Sequence, residues 1–268
     1  MKKTLFLLIL ILFTSFSFSQ TAEEYYNRGH SKADLKDYRG AIADYSKAIE
    51  LKSDYAKAYY NRGYSKAELE DYRGAIADYS KAIELNPDDA EAYNNRGVAM
   101  SRLEDYRGAI ADFSKAIELN PDDAKAYYNR GHSKADLKDY RGAIADYSKA
   151  IELKPDYAEA YNNRGYSRAD LEDYRGAIAD FSKAIELKPD ALAFLNRGHA
   201  KSRLEDYTGA IADFSKAIEL KPDYADAYNN RGLIKILLNQ MDSGCLDLSK
   251  AGELGHPTAY DTIKEYCN

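Results

Sequence analysis

Residues 90–123 read AEAYNNRGVAMSRLEDYRGAIADFSKAIELNPDD, and this stretch decides the architecture. In its second half Ala109, Ile110, Phe113, Ala116, Ile117 and Leu119 fall mostly at helical spacing and form one apolar stripe. Asp105, just before that stripe, has the short acceptor side chain of a helix N-cap. Pro121 ends the helix, and Asp122 behind it suits the N-cap of the next. By the same reasoning Asp88 with Glu91, and Asp156 with Glu159, read as capping boxes. Gly97 lies inside the first helical half, where glycine costs about 1 kcal/mol relative to alanine. Close helix–helix approach against Ala109 is expected to offset that cost.

The stretch is one copy of many. The triplet Asn-Arg-Gly begins at Asn27, Asn61, Asn95, Asn129, Asn163, Asn196 and Asn230, at intervals of 34 residues except for one of 33. A 34-residue unit with Tyr93, Gly97, Tyr106, Ala109, Phe113, Ala116 and Pro121 in these places resembles the tetratricopeptide repeat (TPR) family. The resemblance implies an all-α fold, a right-handed superhelical solenoid of helix-turn-helix repeats. Its seven repeats are 22–55, 56–89, 90–123, 124–157, 158–190, 191–224 and 225–258, within a mature array of residues 20–258. The family often has Trp at the fourth position and Leu at the seventh; here these are Tyr (Phe194 once) and Arg. A lone helix pair cannot bury both faces, so stability must come from stacked neighbours.

Residues 27–52 are identical to residues 129–154, so the array reads as three repeats copied once plus a divergent seventh. Such likeness allows register slippage or exchange between chains. At the C-terminal end Met241, Gly244 and Cys245 replace the usual Tyr, Ala and Ile, and residues 251–259 (AGELGHPTA) resemble the related Sel1-type repeat. Residues 259–268 read as a capping helix with Tyr260, Ile263 and Cys267 on one face.

Lys2 and Lys3, the apolar run from Leu5 to Phe13 and the small residues Ser17 and Ser19 read as a bacterial-type signal peptide over residues 1–19. The run falls short of the roughly 20 apolar residues of a membrane span, and no Cys near the cut suggests a lipoprotein. The expected product is exported, periplasmic or secreted, with no membrane insertion after cleavage. The chain carries 38 basic and 44 acidic residues, a charge of −6, and 36 against 44, or −8, without Lys2 and Lys3. Acidity without a basic stripe argues against nucleic acid as a partner.

Nothing in the sequence reads as an enzyme: no Ser-His-Asp order, phosphate-cradling Gly loop or CxxC is present. No cofactor is implied. His30, His132 and His199 share the ninth repeat position, and stacked helices lie ~8–10 Å apart, which is too far for one metal held within ~2.1 Å of its ligands. Asp44, Asp78, Asp112 and their equivalents recur in every copy, as does Arg28 and its equivalents, so an intra-repeat Arg–Asp ladder is expected, Arg96 with Asp112 for example. Cys245 and Cys267 form an even pair, read either as a disulfide that staples the cap or as two buried thiols.

TPR partners usually bind the concave groove lined by first helices, and the resemblance implies that positions 2, 5, 6, 9, 12 and 13 face it. Position 6 is always Asn. Asn61, Asn95, Asn129 and Asn163 read either as a ladder for a peptide backbone or as hydrogen bonds between helices of the array. Tyr60, Tyr64, Tyr128, His132, Tyr166, Leu195 and His199 complete the candidate groove. The sixth repeat is preceded by the one-residue deletion beside Asp190; Leu192 and Leu195 there are either an apolar anchor near Leu233 or core. The reading is a noncatalytic scaffold for a protein or peptide partner; the alternatives are a self-associating envelope protein and a glycan-binding module.

Overall fold

The computed structural model describes residues 20–267; the expected signal peptide, residues 1–19, lies outside them. Among the described residues there are fifteen α-helices and no strand. They fall into two compact units, which divide between residues 85 and 86. The first holds α1 (Ala22–Asp34), α2 (Tyr38–Leu51), α3 (Ala56–Glu68) and α4 (Tyr72–Leu85). The second begins with α5 (Ala90–Arg102), α6 (Tyr106–Leu119), α7 (Ala124–Asp136), α8 (Tyr140–Leu153), α9 (Ala158–Asp170) and α10 (Tyr174–Leu187). It continues with α11 (Ala191–Arg203), α12 (Tyr207–Leu220), α13 (Ala225–Leu237), α14 (Met241–Glu253) and α15 (Ala259–Tyr266). Within each unit every helix packs on the next, so odd and even helices form hairpins that stack in order.

Short turns fix the hairpins. The chain leaves each first helix through a non-glycine residue in the left-handed region, Lys36, Glu70, Glu104, Lys138, Glu172, Glu205 or Asn239, at φ between 60° and 63°. In the hairpin of α7 and α8, Lys138 N–H bonds Ala135 O and Asp139 N–H bonds Lys134 O, a Schellman ending. Asp139 then caps α8 by accepting from the Gly142 N–H at 3.0 Å, and Asp105 does the same for α6. The first helices begin one residue later than the capping expectation. Asp89 and Asp123 are the caps of α5 and α7, not Asp88 and Asp122, and Tyr157 precedes α9 without a side-chain cap. A capping box does form at Thr21 and Glu24.

The core of the first six hairpins is a small-residue seam closed by one ring, and in the hairpin of α13 and α14 Leu248 stands in the ring's place. Ala109, Ala126 and Ala143 are fully buried, as are Tyr45, Tyr79, Phe113, Tyr147, Phe181 and Phe214 at one shared position of the second helices. The ring explains the mid-helix glycine: a Cβ on Gly97 would lie 2.8 Å from Phe113, and one on Gly131 would lie 2.9 Å from Tyr147. The ring makes the nearest contact, and the backbone oxygen of the alanine equivalent to Ala109 follows at 3.3 Å in other copies, Ala143 O beside Gly131 for example.

A polar network runs through the same hairpins. Arg130 donates through Nε and Nη2 to both carboxylate oxygens of Asp146, and the fork is repeated from Arg28–Asp44 to Arg231–Asp247. The remaining Nη1 of Arg130 donates to Ser114 Oγ of the preceding hairpin at 3.1 Å. The Arg130 guanidinium also lies 5.6 Å from the Tyr127 ring centre. Arg at the seventh position and Tyr at the fourth thus form one unit, which accounts for both departures from the family pattern. A second cation meets most of these acids: Lys134 reaches Asp146 at 2.7 Å, and Arg168 reaches Asp180 at 2.9 Å. In the first hairpin Arg28, followed by Lys32, holds the Asp44 carboxyl below its ordinary range.

The C-terminal end closes on α15. Ala259 is buried, the Tyr260 ring packs over Gly252, and a disulfide joins Cys245 of α14 to Cys267 just after α15. Among the described residues no helix is long and apolar enough to cross a membrane.

Candidate functional site

Three open hollows lie side by side in the second unit, between the first helices of successive hairpins. The first, of 480 Å³, is bounded by Val98 and Arg102 of α5 and by Asn129, His132 and Asp136 of α7. The second, of 440 Å³, shares His132 and Asp136 and adds Asn163 and Tyr166 of α9 and Leu192 and Asn196 of α11. The third, of 420 Å³, shares Tyr166 and Asn196 and adds Asp170, His199 and Arg203. First helices repeat the same face at each step, so neighbouring hollows share residues and form a continuous row.

Tyr106, Tyr140 and Tyr174, the first residues of α6, α8 and α10, line the row as well. Burial, then the carboxylates of Asp136 and Glu104, raises the Tyr106 phenol above its ordinary value; burial and Asp170 do the same for Tyr140. Both therefore remain neutral hydroxyls that can donate and accept at physiological pH. The Nδ1 atom of His132 lies 3.1 Å from Asp136 Oδ2. The row offers hydroxyls, amides and an imidazole beside aromatic faces, which is chemistry for holding a peptide backbone and its side chains.

The candidate residues divide into three groups. Tyr64, Tyr166 and His132 are exposed, with Tyr166 at 55%. A second group is engaged between hairpins. Asn61 Nδ2 donates to the Tyr26 hydroxyl at 2.8 Å, Asn129 Nδ2 to Asn94 Oδ1 at 3.1 Å, and Asn163 Nδ2 to the Tyr128 hydroxyl at 3.0 Å. His199 Nε2 lies 2.8 Å from Asn230 Nδ2, with its ring edge-on to Phe214. Two more are engaged inside their own hairpins: Asn95 Oδ1 lies 3.4 Å from the Nδ2 of its chain neighbour Asn94 on α5, and the Tyr60 ring of α3 packs 5.8 Å from Tyr79 of α4 between centres. Of the two readings of the Asn ladder, the structure shows helix–helix bonding for Asn61, Asn129 and Asn163. Leu195 forms a third group by itself. It is 8% exposed in a cluster with Phe214 and Ile234, so it is core and not groove. Leu192, one helical turn away, stays 46% exposed at the hollow. Sequence reasoning missed Asp136, Tyr140 and Asp170; positions 12 and 13 were expected to face the groove, but their residues were not singled out.

The fold agrees with a known family. The family described as "TPR repeat" matches residues 29–69, 64–104, 131–171 and 198–236, more than half of the chain. This chain belongs to the tetratricopeptide repeat family. Two further models of it, described as "Tetratricopeptide repeat", match residues 90–123 and 158–190, and residues 113–145. The matches end at residue 236, so the Sel1-type resemblance rests on residues 251–259 alone. No curated protein matches the chain. Among solved structures it is similar to YrrB, described as a TPR protein with an unusual peptide-binding site, at 28% identity and a TM-score of 0.60. That match covers 68% of this chain and 95% of YrrB. It is similar to the MamA protein at 28% identity and a TM-score of 0.60, over 62% of this chain and 91% of MamA. A tetratricopeptide repeat protein from Parabacteroides merdae shares the fold at 20% identity and a TM-score of 0.67, over 92% of this chain and 99% of that one.

Proposed function

We propose that this protein is an exported, noncatalytic TPR scaffold that holds an extended peptide segment of a partner protein in the row of hollows on α5, α7, α9 and α11. The observation that carries the reading is the row itself: three adjoining cavities lined by exposed aromatic, imidazole and amide groups that differ from hairpin to hairpin. Residues common to all copies hold the hairpins together, whereas His132, Tyr166 and Leu192 vary with position and can discriminate among ligands. TPR proteins are in general noncatalytic scaffolds, and a peptide-binding TPR protein stands among the structural neighbours. Export rests on Lys2, Lys3 and the apolar run after them, and a disulfide suits an oxidising compartment.

The test is selection of random peptides on the purified protein, followed by binding to the His132→Ala/Tyr166→Ala variant. Both side chains are exposed, so the variant should melt within about 0.5 kcal/mol of the parent. Selected peptides are expected to lose roughly tenfold or more in affinity, as for removal of well-placed contact residues. Unchanged affinity across the selected set contradicts the assignment.

A further inference from the structure

The junction of α10 and α11 lacks the hairpin-ending residue, which is tyrosine at the junctions on either side of it and Asp123 at the junction of α6 and α7. Where a hairpin ends in tyrosine, that ring lies over the fifth residue of its own first helix. Tyr55 sits 5.0 Å from Tyr26, Tyr157 sits 4.9 Å from Tyr128, and Tyr224 packs into the cluster around Leu195. A lysine three residues earlier covers each ring: Lys52, Lys154 and Lys221 lie 4.9, 4.7 and 4.6 Å from the ring centres. The hairpin of α9 and α10 keeps the lysine, Lys188, but its 33-residue length leaves only Lys188, Pro189 and Asp190 before α11. The residue that would cover Asn162 is absent.

Three observations meet there. A cavity of 280 Å³ opens, its walls formed by Tyr128, Ala158, Asn162, Ala184, Leu192 and Ala193, with Asn163, Lys188 and the carboxylates of Glu159 and Asp190 also on the lining. The Asn162 Oδ1 atom at its wall is buried and has no hydrogen-bond partner. Lys188 has no ring beneath it and makes a long 3.4 Å pair with Glu159 at the surface. The rim has changed too: the second position is Glu23, Lys57, Glu91, Lys125, Glu159 and Asp226 elsewhere, and here it is Leu192. A volume just below the roughly 300–1,000 Å³ range of ligand clefts suits a single side chain.

We propose that this cavity receives an aromatic side chain, tyrosine or phenylalanine, of the partner peptide, in the place that Tyr55, Tyr157 and Tyr224 fill at other junctions. Small alanines on the walls leave room for a flat ring, Leu192 covers one edge, and Lys188 supplies the cation over its face. The inference rests on the peptide-binding reading and names the residue type that anchors the peptide.

The probe is N-acetyltyrosinamide, with N-acetylleucinamide for comparison, followed through the leucine methyl NMR signals of the purified protein. The tyrosine amide is expected to shift the Leu192 methyls saturably and to bind roughly fivefold more tightly than the leucine amide. Lys188→Ala should weaken it by a similar factor. Inserting Tyr between Asp190 and Ala191 restores the common spacing, fills the cavity and should abolish the shift. If the insertion does not fold, as judged by circular dichroism, Lys188→Ala and Leu192→Glu carry the test at surface positions. Absence of a saturable Leu192 shift, equal binding of the two probes, or binding unaltered by these changes overturns the proposal. Peptides that depend on His132 and Tyr166 yet bind the Tyr-inserted protein undiminished would reject the pocket and leave the groove. A Leu192 shift with peptides indifferent to His132 and Tyr166 would reject the groove and leave the pocket.

Discussion

Asp112 and Asp146 occupy equivalent places in neighbouring hairpins but meet different cations. Asp146 is buried between Arg130 and Lys134, whereas Asp112 faces Arg96 alone because Met100 stands where the lysine would be. Removing a buried acid leaves its cations uncompensated. Arg130 and Lys134 keep about a fifth of their side chains exposed, so water relieves part of that cost. Asp146→Asn is expected to destabilise by about 2–3 kcal/mol and Asp112→Asn by about half as much, measured by urea unfolding. An equal or larger loss at Asp112 would reject the account. The Arg–Asp fork was legible in the sequence because a 16-residue spacing recurring in each copy lands on facing sides of one hairpin. The second cation was not, since its position carries Lys, Met100 or Arg168. Nor could the sequence decide what Asn129 bonds. That depends on which side of α7 meets α5, a fact of stacking and not of local pattern.

At the scale of the helix and its hairpin, the ring beneath each mid-helix glycine is the most exacting feature. Gly131→Ala improves intrinsic helix propensity by about 1 kcal/mol, yet the new methyl would sit 2.9 Å from the fully buried Tyr147 ring and 3.3 Å from Ala143 O. Overpacking of this kind costs about 1–3 kcal/mol and the backbone oxygen cannot turn aside. The variant should therefore be less stable by about 1 kcal/mol, seen as a lowered thermal midpoint; a raised one would show that the hairpin can yield there. The sequence correctly implied a close approach at this glycine on the turn of Ala109 and its equivalents, but not the ring that comes nearer still, because spacing identifies facing turns and not which atom is nearest. The capping expectation was one residue early for a related reason. The turn between hairpins uses the first Asp of Asp-Asp within the turn, leaving Asp89 and Asp123 beside the helix start. The start of α11 departs from this pattern: after the shortened turn, Asp190 itself caps the helix by accepting from Leu192 and Ala193 N–H groups.

At the scale of the whole chain, the repeat period made the all-helical hairpin array legible before any coordinate, because each copy states the same helices again. It did not reveal which surfaces are free. The Asn that recurs in every copy reads as a possible binding ladder, yet Asn129 and Asn163 hold successive hairpins to each other, and the recurrent Arg–Asp fork closes each hairpin on itself. The irregular positions, His132, Tyr166, Leu192 and the missing residue after Asp190, are where a ligand would meet something different at each step. Function in such an array is written in its exceptions. Hydrogen–deuterium exchange on fragments unique to α9, α10, α11 and α12, with and without a selected peptide, tests this most directly. Bound peptide should slow exchange most in α9 and α11, less in α10, and leave α12 unchanged. Protection confined to α10 and α12, or none in any of the four, would contradict it.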